Sequence, residues 1–338
     1  MKKLLLLIGL VVFVNGCSTE PTKISFPVKF NEKGFVLRQD QKSLTYLNSD
    51  DDIPGRFLYD QEDVSDDYQV HVIYLLAKDS EDYKSDVKGI IEKKILSGNG
   101  KFQQKTKDNK QFRFDMTKEG KLDVSFLRVD KTKKQIPKFE KKQYEGSDGS
   151  SYDIGVSGYF TAQIIKNGFY HPKKTYLIIY QDVFRNPNDN GREEEGQLGA
   201  VKFTTPKGPI EIRTAVAYKN GQGPNEWYVI FHEILHSLGF VQFCAPDAVK
   251  KKDHLIKSGD IMSDRDSGAQ ILDGKRSEYY GHSNANCEMD LRKSVFLEPT
   301  ENLFQLKPRA HNCKVSLSHK KYNHELAVKC LTRLDFFY

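Results

Sequence analysis

The chain of 338 residues has no apolar run longer than Leu4–Val14, eleven residues. A membrane-spanning helix needs about 20, so an integral membrane protein is excluded. It has no internal repeat at periods of 20–50 residues, which excludes solenoids and propellers. It also lacks strong charge of either sign: 52 Lys and Arg face 46 Asp and Glu, and the lysines are dispersed with no RNA-binding motif. That balance fits a soluble protein and excludes nucleic acid as a partner. Cysteine is scarce and odd in number, five, with Cys17 isolated from Cys244, Cys287, Cys313 and Cys330. What is abundant is aromatic: 21 Phe and 17 Tyr, too many for a disordered chain.

The amino terminus accounts for the odd cysteine. Met1-Lys2-Lys3 is a basic n-region, Leu4–Val14 an apolar core, and Asn15-Gly16-Cys17 follows it. The layout is that of a secretory signal, and a small residue directly before cysteine resembles a bacterial lipobox. The resemblance implies cleavage after residue 16 and lipid on Cys17, and several acyl chains hold a domain firmly on a membrane. Ser18 in place of Asp favours the outer membrane. Loss of residues 1–16 takes out two lysines and no acids, lowering the net charge from +6 to +4. The other four cysteines then face an oxidising compartment of the cell envelope, where disulfides persist.

Residues 17–66, with scattered Pro and Gly and the run Asp50-Asp51-Asp52, read as a tether and a loosely packed, solvated lead-in. Regular patterns start at 69–77, apolar on both faces like a strand inside a mixed sheet. An amphipathic helix is predicted over 85–97, stopped by Ser97-Gly98-Asn99-Gly100. Strands follow at 111–116 and 122–129, a polar connection at 130–150, a helix at 153–167 and a strand at 175–180. A polar loop is expected over 183–199, including a solvated Glu193-Glu194-Glu195, then a short strand at 213–218 and a helix from Asn225. Asn186–Gly191 approximates a calcium loop but has Asn first, and Gln197 where a bidentate Glu belongs. His71 and His171 read as structural. Strands alternating with helices, then an irregular cysteine-bearing segment, predict an α+β domain.

The chemistry lies in Phe231-His232-Glu233-Ile234-Leu235-His236-Ser237-Leu238-Gly239. Histidines four apart leave one helix face a turn apart, so both imidazoles can reach one Zn²⁺ at about 2.1 Å. Glu233 follows the first histidine and can act as general base. Gly239, three residues past His236, lets the chain leave the helix in the left-handed conformation.

This motif resembles that of the zincin metalloproteases, in the metzincin-like branch with its extended His-Glu-x-x-His-x-x-Gly. The resemblance spans about residues 69–298 and implies a zincin-like domain with a mixed sheet, an active-site helix and an irregular disulfide-bearing C-terminal part. It implies a zinc cofactor, a peptide or protein substrate and a Met-turn, matched by Ser258–Ser263 around Met262. The third ligand of that branch sits three residues after the glycine, where this chain has Gln242, a poor zinc ligand. His254, between helix and Met-turn, is the expected replacement, in the manner of exported bacterial relatives whose disulfide-bearing loop delivers the histidine late. Asp253 and Asp260 are alternatives, and Glu278 or Glu288 would serve a carboxylate-ligated variant. Tyr279, Tyr280 or His282 is the expected oxyanion stabiliser. A second reading is a surface binding lipoprotein that keeps the scaffold without catalysis.

Four cysteines allow three pairings. With Cys313 opposite Cys330 in an antiparallel hairpin, Val315 meets Val328 and Leu317 meets Leu326 on one face. Cys244 and Cys287 bracket the ligand loop and Met-turn. The expected bridges are 244–287 and 313–330. The expected organisation is a signal at 1–16, lipidated tether and lead-in at 17–66, the metalloprotease domain at 67–298, and a small β appendage at 299–338.

Overall fold

A computed structural model describes residues 51–136, 143–145, 151–153, 155–182, 194–205, 208–218, 226–242, 244–249, 254–256, 259–263, 271–299, 310–313 and 330–334. The signal segment, Cys17, the tether, Asp253 and the 186–191 loop lie outside them.

The elements run β1 (Gln69–Leu76), α1 (Ile90–Thr106), β2 (Gln111–Phe112), β3 (Val124–Arg128), β4 (Gln143–Glu145), β5 (Ser151–Asp153), α2 (Gly155–Lys166), β6 (Lys174–Tyr180), β7 (Glu194–Thr205), β8 (Gly208–Tyr218), α3 (Glu226–Ser237), β9 (Leu297–Glu298), β10 (Ala310–Cys313) and β11 (Cys330–Leu334). Five strands form one sheet in the order β3-β1-β6-β8-β7. The first four are mutually parallel, and β7 pairs antiparallel with β8 at the edge. The sheet is therefore mixed, with α1 between its strands β1 and β3 and α2 between β3 and β6. That makes the domain mixed α/β rather than the expected α+β.

Strand β1 shows why the sheet needs cover on both sides. Successive side chains point to opposite faces. Val70, Val72, Tyr74 and Leu76 pack with Ile91, Ile95 and Phe102 of α1 and with Phe231, Ile234 and Leu235 of α3. Ile73, Leu75 and Ala77 pack with Val156, Phe160 and Ile164 of α2. Helix α3, which carries the His-Glu-x-x-His motif, is thus buried against the sheet together with α1.

Other expectations change as well. The helix expected at 85–97 runs instead over Ile90–Thr106, straight through Gly98-Asn99-Gly100. These residues serve tertiary packing, not termination. A Cβ on Gly98 would stand 2.8 Å from Cε2 of Phe231 and 3.1 Å from Cβ of Trp227, so the glycine lets α1 and α3 approach. The Asn99 amide donates to the Phe112 carbonyl at 2.8 Å, and its oxygen accepts the Phe112 N–H at 2.9 Å. The loop expected to reach residue 199 gives way at Glu194 to β7, where Glu194 and Glu195 pair with Ala217 and Val216. The connection expected at 130–150 contains β4, which forms a small antiparallel hairpin with β5. Asp51 is not solvated: its carboxylate takes both a 2.7 Å and a 2.8 Å hydrogen bond from the buried Arg128 guanidinium. The Phe57 carbonyl accepts the Phe126 N–H at 2.7 Å, so the lead-in from residue 51 packs on the β3 edge.

One buried polar cluster ties this lead-in to the sheet. The Lys174 ammonium reaches Asp60 at 2.7 and 2.8 Å, Asp63 at 2.5 Å and Asp115 at 2.5 Å. His71 donates from Nδ1 to Asp115 at 2.8 Å, and its Nε2 lies 3.0 Å from the Ser125 hydroxyl. These are the residue types of a nucleophile–base–acid set, yet Ser125 and His71 have no exposed surface, so the set is sealed from any substrate. Burial alone would lower the Lys174 and His71 pKa values, but Asp60 and Asp115 outweigh it and hold both cations above their usual values.

Asp123 in the same cluster accepts the Gln61 N–H at 2.7 Å. Burial pushes its carboxyl up to about 6, against the lowering effect of His71. Between about pH 4 and 6 the folded state keeps a proton that the unfolded chain releases, so this group's stabilising contribution is lost as pH rises through that window. His71, raised, acts in the same direction through its own pKa. Asp123→Asn, neutral throughout, is expected to gain about 3 kcal/mol over wild type at pH 8 and little below pH 4. Urea unfolding at the two pH values checks this. Equal changes at both would show that ionisation of Asp123 is not what costs stability.

Candidate metal centre

The residues around the motif bring three imidazoles to one point. The Nε2 atoms of His232 and His236 lie 2.8 Å apart, and those of His254 lie 3.1 and 3.3 Å from them. Local structure fixes which nitrogen of each helical histidine carries the proton. His232 donates from Nδ1 to the Ile261 carbonyl at 2.6 Å, and His236 from Nδ1 to the Phe240 carbonyl at 2.8 Å. A carbonyl only accepts, so both Nδ1 atoms are protonated and both Nε2 lone pairs point into the cluster. Lone pairs converging at about 3 Å repel unless a cation lies between them. The donor set thus fits a metal ion that accepts neutral imidazole.

The end of α3 explains the Phe240 contact. Gly239 has φ +93°, the Gly239 N–H donates to the His236 carbonyl at 2.8 Å, and the Phe240 N–H donates to the Leu235 carbonyl at 3.0 Å. This paired closure is the Schellman motif, which needs a left-handed residue after the helix. It turns the Phe240 carbonyl back onto the His236 ring. The glycine of the extended motif therefore orients a histidine as well as ending a helix.

His254 arrives from a short antiparallel pairing. The Val249 N–H donates to the His254 carbonyl at 2.8 Å, the Ile256 N–H to the Asp247 carbonyl at 3.0 Å, and Ala248 bridges Leu255. Leu255 donates its N–H to the Met262 carbonyl at 2.7 Å, which joins this segment to the turn around Met262. Met262 itself is fully buried. The loop is anchored by the Cys244–Cys287 disulfide, whose Cα atoms are 5.5 Å apart. Closing 43 residues removes about 4 kcal/mol of chain entropy from the unfolded state, whether or not metal is bound. In the appendage, backbone register sets Cys313 opposite Cys330; residues 315, 317, 326 and 328 lie outside the described segments.

Gln242 has a backbone partner. Its amide oxygen accepts the Met289 N–H at 3.0 Å. Glu278 is buried with Oε2 accepting the Asp247 N–H at 2.9 Å and Oε1 accepting the Ser277 hydroxyl at 2.9 Å, while Glu288 is exposed. Neither joins the cluster. Asp260, an alternative ligand by sequence, instead accepts the Met262 N–H at 2.8 Å, the Tyr279 hydroxyl at 2.8 Å and the Asp273 N–H at 2.9 Å. Burial pushes its carboxyl up to about 6.

The expected oxyanion candidates have other partners. Tyr279 is wholly buried and donates to Asp260; burial first, then that carboxylate, push its phenol well above the usual value and keep it a donor. The Tyr280 hydroxyl donates to Asp108. The His282 ring hydrogen-bonds through Nε2 to the Met289 carbonyl at 2.8 Å. Glu233 is buried on α3 beside His232.

No protein-family model matches the chain, and no curated protein matches it. Solved structures give distant likenesses. OgpA from Akkermansia muciniphila, crystallised as an inactive form with an O-glycopeptide substrate, is 13% identical over 56% of this chain and 52% of its own, with a TM-score of 0.29. Archaemetzincin from Methanopyrus kandleri is 11% identical over 61% of this chain and 91% of its own, with a TM-score of 0.32. This chain spans about half the length of the OgpA structure. The functional reading rests on the geometry of the three histidines.

Proposed function

We propose that the protein is a zinc-dependent endopeptidase of zincin type, exported and tethered by lipid on Cys17 to the outer membrane of a bacterial envelope. The observation that carries the catalytic reading is the convergence of the His232, His236 and His254 Nε2 atoms within 3.3 Å, beside Glu233 on the same helix. Zinc held by these three side chains supplies Lewis acidity, which lowers the pKa of a water and polarises a carbonyl.

The chain's own groups do the rest. Glu233 takes the proton of the attacking water at its carboxylate and delivers it to the leaving peptide nitrogen. The Ile261 and Phe240 carbonyls keep His232 and His236 in the tautomer that leaves Nε2 free to ligate. The substrate class is an extended peptide or protein chain.

The alternative, a binding lipoprotein without catalysis, draws on Gln242 at the usual third-ligand position. Gln242 has a structural task at Met289, and His254 supplies an imidazole in its stead, so no observation favours that reading. The mature chain incubated with an unfolded protein is expected to cleave it, to stop on addition of a chelator and to resume with zinc. Zinc retained without cleavage across a broad peptide library would overturn the peptidase in favour of the binding protein.

A further inference from the structure

The geometry points to Asp260 as a positioning residue for the metal centre: its carboxylate shapes the Met-turn, whose carbonyls orient His232 and seat the segment bearing His254. This rests on the reading of the three histidines as a metal site.

The turn touches both histidine-bearing segments, α3 and the loop of His254, through adjacent carbonyls. Ile261 O takes the Nδ1–H of His232 at 2.6 Å, and Met262 O takes the N–H of Leu255, next to His254, at 2.7 Å. A carbonyl can hold a ligand in place only if its own peptide is held. Asp260 does this from within the turn: Oδ1 accepts the Met262 N–H, Oδ2 accepts the Asp273 N–H, and the Ser263 N–H closes onto the Asp260 carbonyl at 3.0 Å.

The second arm of the device is Tyr279, whose hydroxyl donates to Asp260 Oδ1 at 2.8 Å. Tyr279 is in turn set by Asp273, whose Oδ2 accepts the N–H groups of Glu278, Tyr279 and Tyr280 at 3.0, 2.8 and 2.8 Å, with Oδ1 taking that of Ser277 at 3.1 Å. The buried Asp260 carboxylate thus binds the 271–280 loop to the Met-turn through one backbone amide and one phenol, and Asp273 braces that loop from within through four backbone amides. Removing the Asp260 charge, or the phenol alone, loosens the peptide planes that aim His232 and place His254, without touching a ligand.

The test compares Asp260→Asn and Tyr279→Phe with wild type, as mature protein. Tyr279→Phe keeps the buried ring and deletes only the hydroxyl, so it decides the matter should Asp260→Asn fail to fold. Zinc affinity is measured by competition with a chelator of known affinity, and folding by thermal unfolding in excess chelator. Thr161→Val serves as control. It removes a 2.7 Å hydrogen bond to Thr214 on the opposite, α2 side of the sheet.

Both site variants are expected to lose roughly 10–100-fold in zinc affinity, the range for groups that orient metal ligands. Their cobalt-substituted forms are expected to show an altered visible spectrum. The control is expected to melt earlier with unchanged zinc affinity. Affinity within twofold of wild type in a folded Tyr279→Phe or Asp260→Asn protein overturns the positioning role. A wild-type protein that binds no zinc overturns the metal-site reading itself, and this proposal with it.

Discussion

Glu233→Ala is expected to keep one zinc per chain and to lose roughly 10²–10⁴-fold in kcat, the usual contribution of a positioned general base. The separation follows from the geometry. The three converging nitrogens belong to His232, His236 and His254, and Glu233 supplies none of them. In the proposed mechanism its deletion removes the group that moves the proton and leaves the donor set whole. Because the proton is transferred only on the way to the transition state, kcat falls and KM for a peptide changes little. Zinc by elemental analysis and kcat on one peptide, measured on the same preparation, decide the role. Activity above a tenth of wild type would remove Glu233 from the chemistry. Loss of zinc with loss of activity would instead make it part of the metal's support.

Much of this arrangement is legible in the sequence, and the rest is hidden for identifiable reasons. Strand β1 and helix α3 are legible because their apolar residues follow the period of one buried strand and one buried helix. Gly239 is legible because the left-handed turn it permits has a local hydrogen-bond pattern. Helix α1 is misread at Gly98-Asn99-Gly100, since glycine against Phe231 and asparagine against Phe112 answer to partners far along the chain. Strand β7 is misread because its start, Glu194-Glu195, is polar and its strand character comes from pairing with β8. The Lys174 cluster joins residues 60, 63, 71, 115 and 174, a grouping that no local pattern announces. Asp260 and Tyr279 stand out as acid and phenol near Met262, but sequence alone offers the first as an alternative to His254 and the second as one of three oxyanion candidates. Only the fold shows each already bonded to the other.

His254→Ala is expected to weaken zinc binding by about 10²–10³-fold, one ligand's share of the free energy of a four-coordinate site. Chelator-sensitive cleavage falls with it at limiting zinc. His254 is the one imidazole of the three that does not lie on α3, and its segment is held by Val249, Asp247 and Met262 through backbone bonds that alanine preserves. Alanine at 254 therefore deletes a donor and leaves the loop in place, unlike a change in the turn around Met262. Gln242 cannot take over, since its amide oxygen is committed to the Met289 N–H. Zinc competition against a chelator distinguishes the outcomes. A His254→Ala protein with wild-type affinity and activity would mean that His232 and His236 hold the metal with some other partner, and that this loop histidine is not the third ligand. A protein that loses zinc yet unfolds in excess chelator at the wild-type temperature assigns the loss to the missing nitrogen, because the 244–287 bridge and the Leu255–Met262 bond hold the loop without metal.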